Sequence, residues 1–591
     1  MSSNAITRVQ AAIVIVVIIA AVAAGAYFAT QGPGPTPPST TTGPTTAGPT
    51  TTGPPPVTYK DTLIMGTTDS VESGLDPGKA YDFFGWEIIG DTGSGLVDIR
   101  PGSAAGPNDI VPALATSWSA SPDGLTWTFN LRQGVKFDDG REFTADDVKY
   151  TFDRNVWKLA IPEGPQVGIG FGDIIKSVNV TDKYTVVLYL NIPFAPFASL
   201  MACQCAFIVN SKYAPEDAAV EYAEGDARAS SPMDLGPYVL TKWVRVAGKD
   251  NEMRLDANPN YWNATGGYPK TPHIIIKFYS DATALRLAIE AGEVDIAFRQ
   301  LRSTDINDLR TKPDLKVWEG VGAFIQYLLF QEKMKPFDNP EIRRAVAAAI
   351  DRPTLTSTVF LGQAAPLYSM IPNGMTGHVD AFKELGDANY AFTKETLTKY
   401  GYSETNKLVV DLWYESSGHY PQSADQASVI KSSLEASGVI QVNLKSADWP
   451  SFRQNRNQEI MQLFIYGWYP DYVDPDNYMF PFLHSVGSSF LHVHYENPQM
   501  DALIEQSRAT TDPAARNQLY AQAQTLMVQD APIVPLFQGT AFAVTKQNVG
   551  GVILDITQNW RHWTLYATTT ASVPPAQSSW LMTNIRIGVE E

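Results

Sequence analysis

Residues 467–477, with the sequence GWYPDYVDPDN, place aromatic rings and carboxylates within a few positions of one another. The mostly apolar residues 461–465 come just before them and predict a buried strand that ends at this point. Gly467 frees the backbone there, while Pro470 and Pro475 fix it on either side of the first aspartate. We therefore expect a rigid loop at the end of a strand.

The side chains of this loop suit the binding of a small ligand. Trp468, Tyr469 and Tyr472 offer aromatic walls, and Asp471 and Asp474 offer negative charge between them. An apolar box with one or two placed charges is the usual form of a pocket for a small cationic or amphipathic ligand. The same residues also suit a tight surface turn, in which Asp side chains bond to their own backbone. The loop by itself leaves both interpretations open.

The composition of the whole chain limits the class of protein that carries this loop. With 591 residues, 44% of them hydrophobic, the chain is too long for one ordinary domain, so we expect two or three. Its net charge of −18 argues against a nucleic-acid partner, because phosphate binding needs a basic surface. Cys203 and Cys205 are awkwardly close in sequence for a mutual disulfide, and we expect buried, unpaired, small apolar side chains.

A long apolar segment precedes the folded body. Residues 11–29 carry no charge and, at about 1.5 Å per residue, would span roughly 28 Å as a helix, close to the thickness of a bilayer core. The short segment 1–10 before them holds Arg8, which favours an inside N-terminus and an outside body. We therefore predict a membrane anchor, and a cleaved signal peptide is the alternative.

A stalk follows the apolar segment. Residues 30–58 are almost all Thr, Pro and Gly, so they cannot bury a core and are held extended. The threonines are candidates for O-linked sugars. Asn179 and Asn263, further along the chain, stand in N-glycosylation sequons and are candidates for modification outside the cell.

Strand and helix signals recur along the rest of the chain in an α/β order. The apolar or alternating patterns of strands occur at residues 62–66, 124–132, 184–190, 324–330 and 408–413. Residues 283–291 predict a helix that Gly292 ends, and residues 424–438 predict a second helix. A helix that returns to a strand in this way is typical of α/β layers.

Several sequence blocks resemble one family. The segment TFNLRQGVKFDDG is followed by FTADDV at residues 143–148, LGPY stands at residues 235–238, and FDNPEIRRAVAAAIDR at residues 337–352. With the loop pattern GWxxDYxDP after them, these blocks are similar to the oligopeptide- and dipeptide-binding proteins. Those proteins are the family-5 extracellular solute-binding proteins of ABC importers. The matching blocks extend from about residue 62 to about residue 545.

The resemblance implies an α/β fold of the type II periplasmic-binding-protein class, a large three-domain "Venus flytrap" whose two lobes close on a ligand. The implied lobe I is discontinuous and takes residues 59–98, 175–320 and 536–591. A small accessory subdomain takes residues 99–174, and lobe II takes residues 321–535. Some archaeal members have a pilin-type N-terminus, so the resemblance also supports an anchor at residues 11–29.

The resemblance also implies roles for single residues. Asp471 matches the family carboxylate that pairs with the α-amine of a peptide. Tyr81 and Trp86, which would otherwise be assigned to the core, become candidates because the matching segment faces the cleft in the family. The remaining candidates are Tyr327 and Trp413, as cleft walls on lobe II strands, and Arg456, as the partner of a ligand carboxylate, with an ordinary surface position as its alternative. An arginine that some peptide binders carry just before the Gly-Trp pair is absent, which leaves the ligand length open.

The sequence lacks common signatures of catalysis and of metal binding. It has no Walker A loop, no G-x-S-x-G elbow and no H-E-x-x-H motif, and we expect neither an enzyme nor a cofactor. His492 and His494 would supply two metal ligands without a third partner. The aspartates of the loop lack the glycine and the distal glutamate of an EF-hand. We therefore predict no metal site.

The interpretation that follows is a receptor of an ABC importer, held in the cell membrane with its body on the extracellular face. It would capture peptides between two lobes and deliver them to the permease subunits in the membrane. Oligosaccharide binding by the same fold is one alternative, because aromatic rings also suit sugars. A structural or filament role at the cell surface is the other alternative, and the N-terminal segments suggest it.

Overall fold

The computed structural model describes residues 58–103, 109–417, 419–557 and 559–569, which fall within the unit Val57–Glu591. The predicted segment 1–10, the anchor 11–29, the stalk 30–58 apart from its last residue, and the chain after residue 569 lie outside the described residues. None of the helices in the described ranges combines the length and the apolar character that are needed to cross a bilayer.

The strands of the described residues form one large mixed sheet and several smaller antiparallel sheets. The strands are β1 (Thr62–Thr67), β2 (Val97–Ile99), β3 (Ile110–Pro112), β4 (Ala115–Ala120), β5 (Thr126–Leu131), β6 (Ile175–Asp182), β7 (Thr185–Leu190), β8 (Tyr238–Val246), β9 (Lys249–Ala257), β10 (His273–Phe278), β11 (Ile296–Ala297), β12 (Leu315–Phe330), β13 (Ala364–Pro366), β14 (Leu408–Glu415), β15 (Ile440–Ala447), β16 (Leu463–Trp468), β17 (Ile533–Lys546), β18 (Val549–Gly550) and β19 (Tyr566–Ala567). The strand order in the large sheet is β15-β14-β16-β12-β17-β11-β1-β10-β9-β8, with β13 added to β17.

Helices pack against these sheets and connect their strands. They are α1 (Phe83–Thr92), α2 (Ala145–Phe152), α3 (Pro165–Ile169), α4 (Phe171–Ile174), α5 (Phe197–Met201), α6 (Ala282–Ala291), α7 (Ser303–Leu309), α8 (Pro340–Ala349), α9 (Arg352–Val359), α10 (Tyr390–Lys399), α11 (Ser423–Glu435), α12 (Trp449–Asn457), α13 (Asp476–Leu483), α14 (Pro498–Ala509) and α15 (Pro513–Asp530). Helix α6 shows why the sequence signals worked: the Asp281 side chain accepts hydrogen bonds at its start, and Gly292, with φ 76°, ends it.

Both halves of the large sheet contain the parallel pairs that an α/β order predicts. In the N-terminal half, β1 lies parallel to β10 and to β11, and α6 connects the latter two. In the C-terminal half, β14 lies parallel to β15 and to β16, with α11 and α12 as connections. The predicted strand at residues 408–413 and the predicted helix at residues 424–438 are confirmed within a few residues.

Two long antiparallel strands join these halves. β12 pairs with β17 from Leu315 to Leu329, with a break in register between Val321 and Ile325. After that break, β12 also pairs with β16, from Ile325 to Phe330. Near its C-terminal end, at Val544 and Thr545, β17 pairs with β11. The predicted strand at residues 324–330 is therefore the buried end of a longer strand whose first half is more exposed.

A separate antiparallel sheet has the strand order β4-β5-β7-β6, and it contains two of the predicted strands. Its last two strands cover residues 175–190, so their hydrogen bonds cross the predicted boundary between the accessory subdomain and lobe I at residue 174. The predicted limits of the domains remain predictions in other respects.

The two cysteines correct one prediction. Cys203 and Cys205 are both buried, as expected, but they are joined in a disulfide rather than unpaired. Cys203 caps a short 3-10 turn over Gln204–Ala206, and this turn brings the two Cα atoms to 5.3 Å. That separation lies within the usual range for a disulfide, which sequence spacing alone did not suggest.

Candidate functional site

The side chain of Asn477 connects the parts of the loop between β16 and α13. Asn477, in the first turn of α13, accepts hydrogen bonds through Oδ1 from the Trp468 Nε1 (2.9 Å) and from the Asp471 backbone N–H (2.9 Å). Its Nδ2 donates to Asp471 Oδ2 at 3.3 Å. These bonds tie the end of the strand, the loop and the following helix together, so the predicted loop at a strand end is confirmed, and its rigidity stays a prediction.

Asp471 is the carboxylate at the centre of the loop. It is partly exposed, and its Oδ2 also accepts a hydrogen bond of 3.2 Å from the Tyr81 hydroxyl. No lysine, arginine or histidine of the described ranges forms an ion pair with it. Burial by the surrounding protein raises its pKa to about 7, although both hydrogen bonds act in the opposite direction. The site therefore presents a desolvated carboxylate without a counter-charge.

The two neighbouring carboxylates are structural. Asp474 forms a bidentate ion pair with Arg516, at 2.6 and 2.8 Å, and accepts a hydrogen bond from the Asp476 N–H. Asp476 lies 3.3 Å from Arg508 Nε and accepts a hydrogen bond of 2.7 Å from the Tyr472 hydroxyl. Asp474, predicted as a ligand-binding residue, is thus already used to hold the loop against α15.

The aromatic residues of the loop face different surroundings. Tyr469 stacks on Phe324, with ring centroids 4.5 Å apart, and also contacts Phe83 at 5.1 Å. Trp468 packs edge-on against Phe482 at 5.1 Å, and Tyr472 is buried beside Phe194. Of the three predicted aromatic walls, Tyr469 is half-buried between Phe83 and Phe324, Tyr472 is buried, and Trp468 packs on the helix that follows the loop.

Gly467 allows aromatic rings to approach the backbone of the loop. A Cβ atom at this position would lie 2.8 Å from a ring atom of Phe324 and 2.8 Å from a ring atom of Tyr420. The Gly467 carbonyl accepts hydrogen bonds from the hydroxyls of Tyr420 (3.2 Å) and Tyr327 (3.4 Å). The glycine is therefore required by close packing, which adds to the backbone freedom that the sequence suggested.

Tyr81 and Trp86 have different positions. Tyr81 reaches Asp471 and stacks against Trp86 with ring centroids 5.6 Å apart. Trp86 is buried and donates its Nε1 to the Ala80 carbonyl at 2.7 Å. The structure thus brings Tyr81 to the carboxylate and places Trp86 behind it.

The other candidates lie below or beside the loop. Tyr327 is fully buried on β12 against Phe482, and it supports Gly467 from the core. Trp413 is partly exposed on β14, in register with Phe464 of β16. Arg456 is not an ordinary surface residue: it is buried and donates to the Tyr466 hydroxyl at 2.7 Å, and its pairing with a ligand carboxylate stays a prediction.

The polar residues considered for metal binding and glycosylation have ordinary surroundings. His494 Nε2 lies 2.7 Å from Glu459, and His492 is more distant at 4.0 Å. Among the residues that the structure covers, no group of three or more His, Cys, Asp or Glu is arranged to hold a metal ion. Asn179 is exposed on β6, and Asn263 is partly exposed, which leaves glycosylation of both as a prediction.

Sequence reasoning missed three residues that meet near the loop. Phe83 and Phe324 enclose Tyr469, and the Arg299 guanidinium lies 4.6 Å from the centre of the Phe83 ring. The sequence did offer a signal for Phe83, since this residue belongs to a cluster of aromatic residues at the start of α1. No sequence signal marked Arg299, because the strand before it is only two residues long.

The long joining strands and the desolvated carboxylate in the loop after β16 describe an α/β protein with a candidate ligand-binding loop. Residues 109–490 match the family described as bacterial extracellular solute-binding proteins, family 5 Middle. This match covers more than half of the 591 residues, and the chain belongs to this family.

Known proteins of similar sequence and structure include several that are named for their ligands. The chain is 29% identical over 510 residues to di/tripeptide-binding protein 2 of Pseudomonas aeruginosa, covering 82% of this chain and 91% of that protein. It is 29% identical over 480 residues to heme-binding protein A of Haemophilus influenzae, covering 78% and 83%. A dipeptide-binding protein of Pseudoalteromonas sp. SM9913, solved with Met-Leu, has the same fold with a TM-score of 0.72 and 24% identity, covering 85% and 99%.

Proposed function

We propose that this chain is the extracellular receptor of an ABC importer and that it binds short peptides through their α-amine. Membership of a family of extracellular solute-binding proteins supports the receptor role. The names of relatives that bind dipeptides and di/tripeptides support the ligand class. The observation that carries the proposal is Asp471, a desolvated carboxylate that no described cation neutralises.

A peptide ammonium fits the chemistry of Asp471. Both of its described side-chain hydrogen bonds, from Tyr81 and Asn477, end on Oδ2. The Oδ1 atom accepts none from the described residues and is the oxygen left for a ligand. An ammonium brings the opposite charge and three donors, and a charge-assisted bond in a desolvated site is stronger than one in water.

Closure of two lobes would place the ligand between the segments that meet at this site. Tyr81 comes from the predicted lobe I and Asp471 from the predicted lobe II, and they form a hydrogen bond. We propose that β12 and β17, which join the two halves of the sheet, carry the hinge. A ligand held by both lobes shifts the population towards the closed form.

The cellular setting of this proposal rests on the sequence alone. We propose that residues 11–29 anchor the chain in the cell membrane, that residues 30–58 hold the body on the extracellular face, and that the permease subunits receive the ligand. Sugars on the stalk and at Asn179 and Asn263 belong to the same proposal.

Oligosaccharide binding is a second candidate because of one feature, the stack of Phe83, Tyr469 and Phe324. Flat aromatic faces suit sugar rings as well as apolar side chains. An uncharged sugar would not supply the counter-charge that Asp471 lacks, whereas a peptide ammonium would. Binding of the two ligand classes should therefore differ in its dependence on Asp471.

Thermal unfolding of the full-length chain with added ligands tests the proposal. We expect the dipeptide Met-Leu to raise the melting temperature, since a ligand stabilises the folded state that it binds, and we expect malto- and cello-oligosaccharides to have no effect. The shift should disappear in Asp471→Asn and remain in Asp425→Asn, which changes an exposed aspartate on α11. A shift with sugars alone, equal in both variants, would exclude the peptide proposal.

A further inference from the structure

A further contact between the predicted lobes involves neither Asp471 nor Tyr81. Residues 191–197 follow β7 in predicted lobe I, and the Ala195 backbone N–H donates a hydrogen bond of 2.6 Å to the carbonyl of Arg508. Arg508 lies in the last turn of α14, in predicted lobe II. Carbonyls in the last turn of a helix have no partner within that helix, so a residue of the other lobe satisfies this one.

The side chain of Phe194 adds to this hydrogen bond. Its ring centre lies 4.9 Å from the Arg508 guanidinium, and the ring packs edge-on against Tyr472 with centroids 6.5 Å apart. Both are favourable arrangements of an aromatic ring. Phe194 is only 1% exposed. Because these two partners belong to predicted lobe II, separation of the lobes would return the ring to water.

The side of this contact in predicted lobe I is held by its own neighbours. Pro193 and Pro196 stand on either side of the two contacting residues and restrict the backbone there. The ring of Phe197, the next residue, packs against Trp127 of β5 with centroids 5.1 Å apart. The segment is therefore attached to its own lobe and would move with that lobe.

The side of the contact in predicted lobe II adjoins the loop that carries Asp471. The Arg508 guanidinium lies over the ring of Phe480 in α13, 3.7 Å from its centre, and Arg508 Nε lies 3.3 Å from Asp476. Tyr472, which meets the ring from lobe I, directly follows Asp471 in the chain. The contact therefore forms against the loop and the helix that position the proposed partner of the peptide amine.

We propose that Phe194 and Arg508 form a latch, a direct contact between the lobes that sets how tightly the chain holds its ligand without touching that ligand. Both are positioning residues, because they act through the position of the lobes. This inference rests on the proposed peptide-binding function and on the closure that it includes.

The burial of one ring gives the size of the effect. Burying a phenylalanine side chain favours the closed form by about 10- to 100-fold. Without ligand the latch is mostly open, because this gain does not outweigh the freedom that the lobes lose on closing. Apparent affinity is the intrinsic affinity multiplied by the fraction of closed chains, so the latch increases affinity by the same factor.

Calorimetry with Met-Leu and thermal unfolding without it distinguish a latch from permanent packing. In Phe194→Ala the affinity of the full-length chain should fall by about 10- to 100-fold, while the melting temperature without peptide should stay the same, since the open form already exposes the ring. Tyr189→Ala, at an exposed position on the preceding strand β7, should match the wild-type chain in both measurements. A lower melting temperature with unchanged affinity would overturn the latch.

A double-mutant cycle tests the partner of Phe194. Arg508→Lys keeps the charge but removes the planar group that lies beside the ring, so affinity should fall by about 3- to 10-fold. The same change made in Phe194→Ala should cost almost nothing more, because the contact is already broken. Losses that multiply in the double variant would show that the two residues act separately and would overturn the latch.

Hydrogen exchange followed by mass spectrometry tests the latch in the wild-type chain and does not depend on the folding of any variant. Saturating Met-Leu should slow exchange in residues 191–197, because the Ala195 N–H bonds to Arg508 only in the closed form. Equal exchange with and without bound Met-Leu would overturn the latch while peptide binding stands. No binding of Met-Leu in calorimetry would instead contradict the proposed function itself.

Discussion

Asp471 and Asp474 stand three residues apart on one loop, yet the fold gives them opposite surroundings. Asp474 is buried in a bidentate ion pair with Arg516, which docks the loop on α15. Asp471 has only neutral hydrogen-bond partners, Tyr81 and Asn477, and burial raises its pKa to about 7. No sequence spacing distinguishes the two residues. The difference between a structural and a binding carboxylate lies in whether the protein supplies the counter-charge.

The ion pair of Asp474 helps to hold the part of the loop that carries the unpaired carboxylate of Asp471. An unpaired carboxylate in a desolvated site costs free energy, and the surrounding structure must hold it in place. The Asp474–Arg516 pair and the hydrogen bonds of Asn477 fix the loop on both sides of Asp471. In the proposed complex, a cationic ligand would recover the free energy that the unpaired Asp471 costs before binding.

Among the variants that test this difference, Asp474→Asn should have the largest effect, a loss of stability. This variant leaves the buried guanidinium of Arg516 without its charge partner, and we expect the free energy of unfolding to fall by about 3–5 kcal/mol. Urea denaturation followed by tryptophan fluorescence measures it, with the exposed-site variant Asp425→Asn as the control. Asp471→Asn should not destabilise the protein in the same assay. Equal losses for Asp471→Asn and Asp474→Asn would remove the distinction between the two carboxylates.

The pH dependence of peptide affinity should reveal the unpaired state of Asp471. Its pKa is raised from 3.8 to about 7, so below pH 7 an incoming ammonium must first displace a proton. Affinity should therefore increase by up to about tenfold per pH unit between about pH 5 and about pH 7, and decrease again above about pH 8, where the peptide amine loses its charge. Calorimetry at constant ionic strength measures this profile. An acidic limb that persists unchanged in Asp471→Asn would show that another group titrates.

The same raised pKa has a consequence for stability without peptide. Because the folded state binds the Asp471 proton more tightly than the unfolded state, this group contributes stability that is complete below about pH 4. The contribution is lost as the pH rises towards about 7. In Asp471→Asn the free energy of unfolding should lose this part of its pH dependence, and urea titrations across the range measure the difference. Identical profiles for the two proteins would contradict the raised pKa.

A smaller effect is expected from Tyr81→Phe. The variant keeps the ring that stacks on Trp86 and removes the hydroxyl that donates to Asp471 Oδ2 at 3.2 Å. Peptide affinity at pH 7 should fall by about 0.5–1.5 kcal/mol, the usual value of one hydrogen bond, and the acidic limb should move to higher pH. Tyr189→Phe, at an exposed position on β7, serves as the matched control in the same calorimetric titrations. An unchanged acidic limb in Tyr81→Phe would mean that this hydrogen bond does not tune Asp471.

Local features were predictable because their causes are local. The cap residues Asp281 and Gly292 bound α6, and the end of β16 with the loop after it follow from an apolar run, a glycine and two prolines. Only the resemblance to the family, and no local pattern, singled out Asp471 over Asp474. The long β12 was predicted only where it is fully buried, because its more exposed first half lacks a continuous apolar run.

The pairing of side chains from distant segments was not predictable. Asp474 forms its ion pair with Arg516, which lies 42 residues further along the chain, and no local pattern marks that contact. Arg299 reaches the site from the edge of a sheet that only the complete strand order defines. Arg456, predicted as the partner of a ligand carboxylate or as a surface residue, is buried and donates to Tyr466, and no local pattern marks that contact. Burial and pairing of charges depend on tertiary structure, and they decide which residues of the loop can bind.

The most direct test of the central claim is the coupling between Asp471 and the peptide amine in a double-mutant cycle. Binding of Met-Leu and of N-acetyl-Met-Leu is measured by calorimetry for the wild-type chain and for Asp471→Asn. If the carboxylate and the ammonium pair directly, the loss from either change alone should be large and the second change should add little. The coupling energy should then be about 2–5 kcal/mol. A coupling energy near zero, with both losses additive, would show that the amine binds elsewhere and that Asp471 is not its partner.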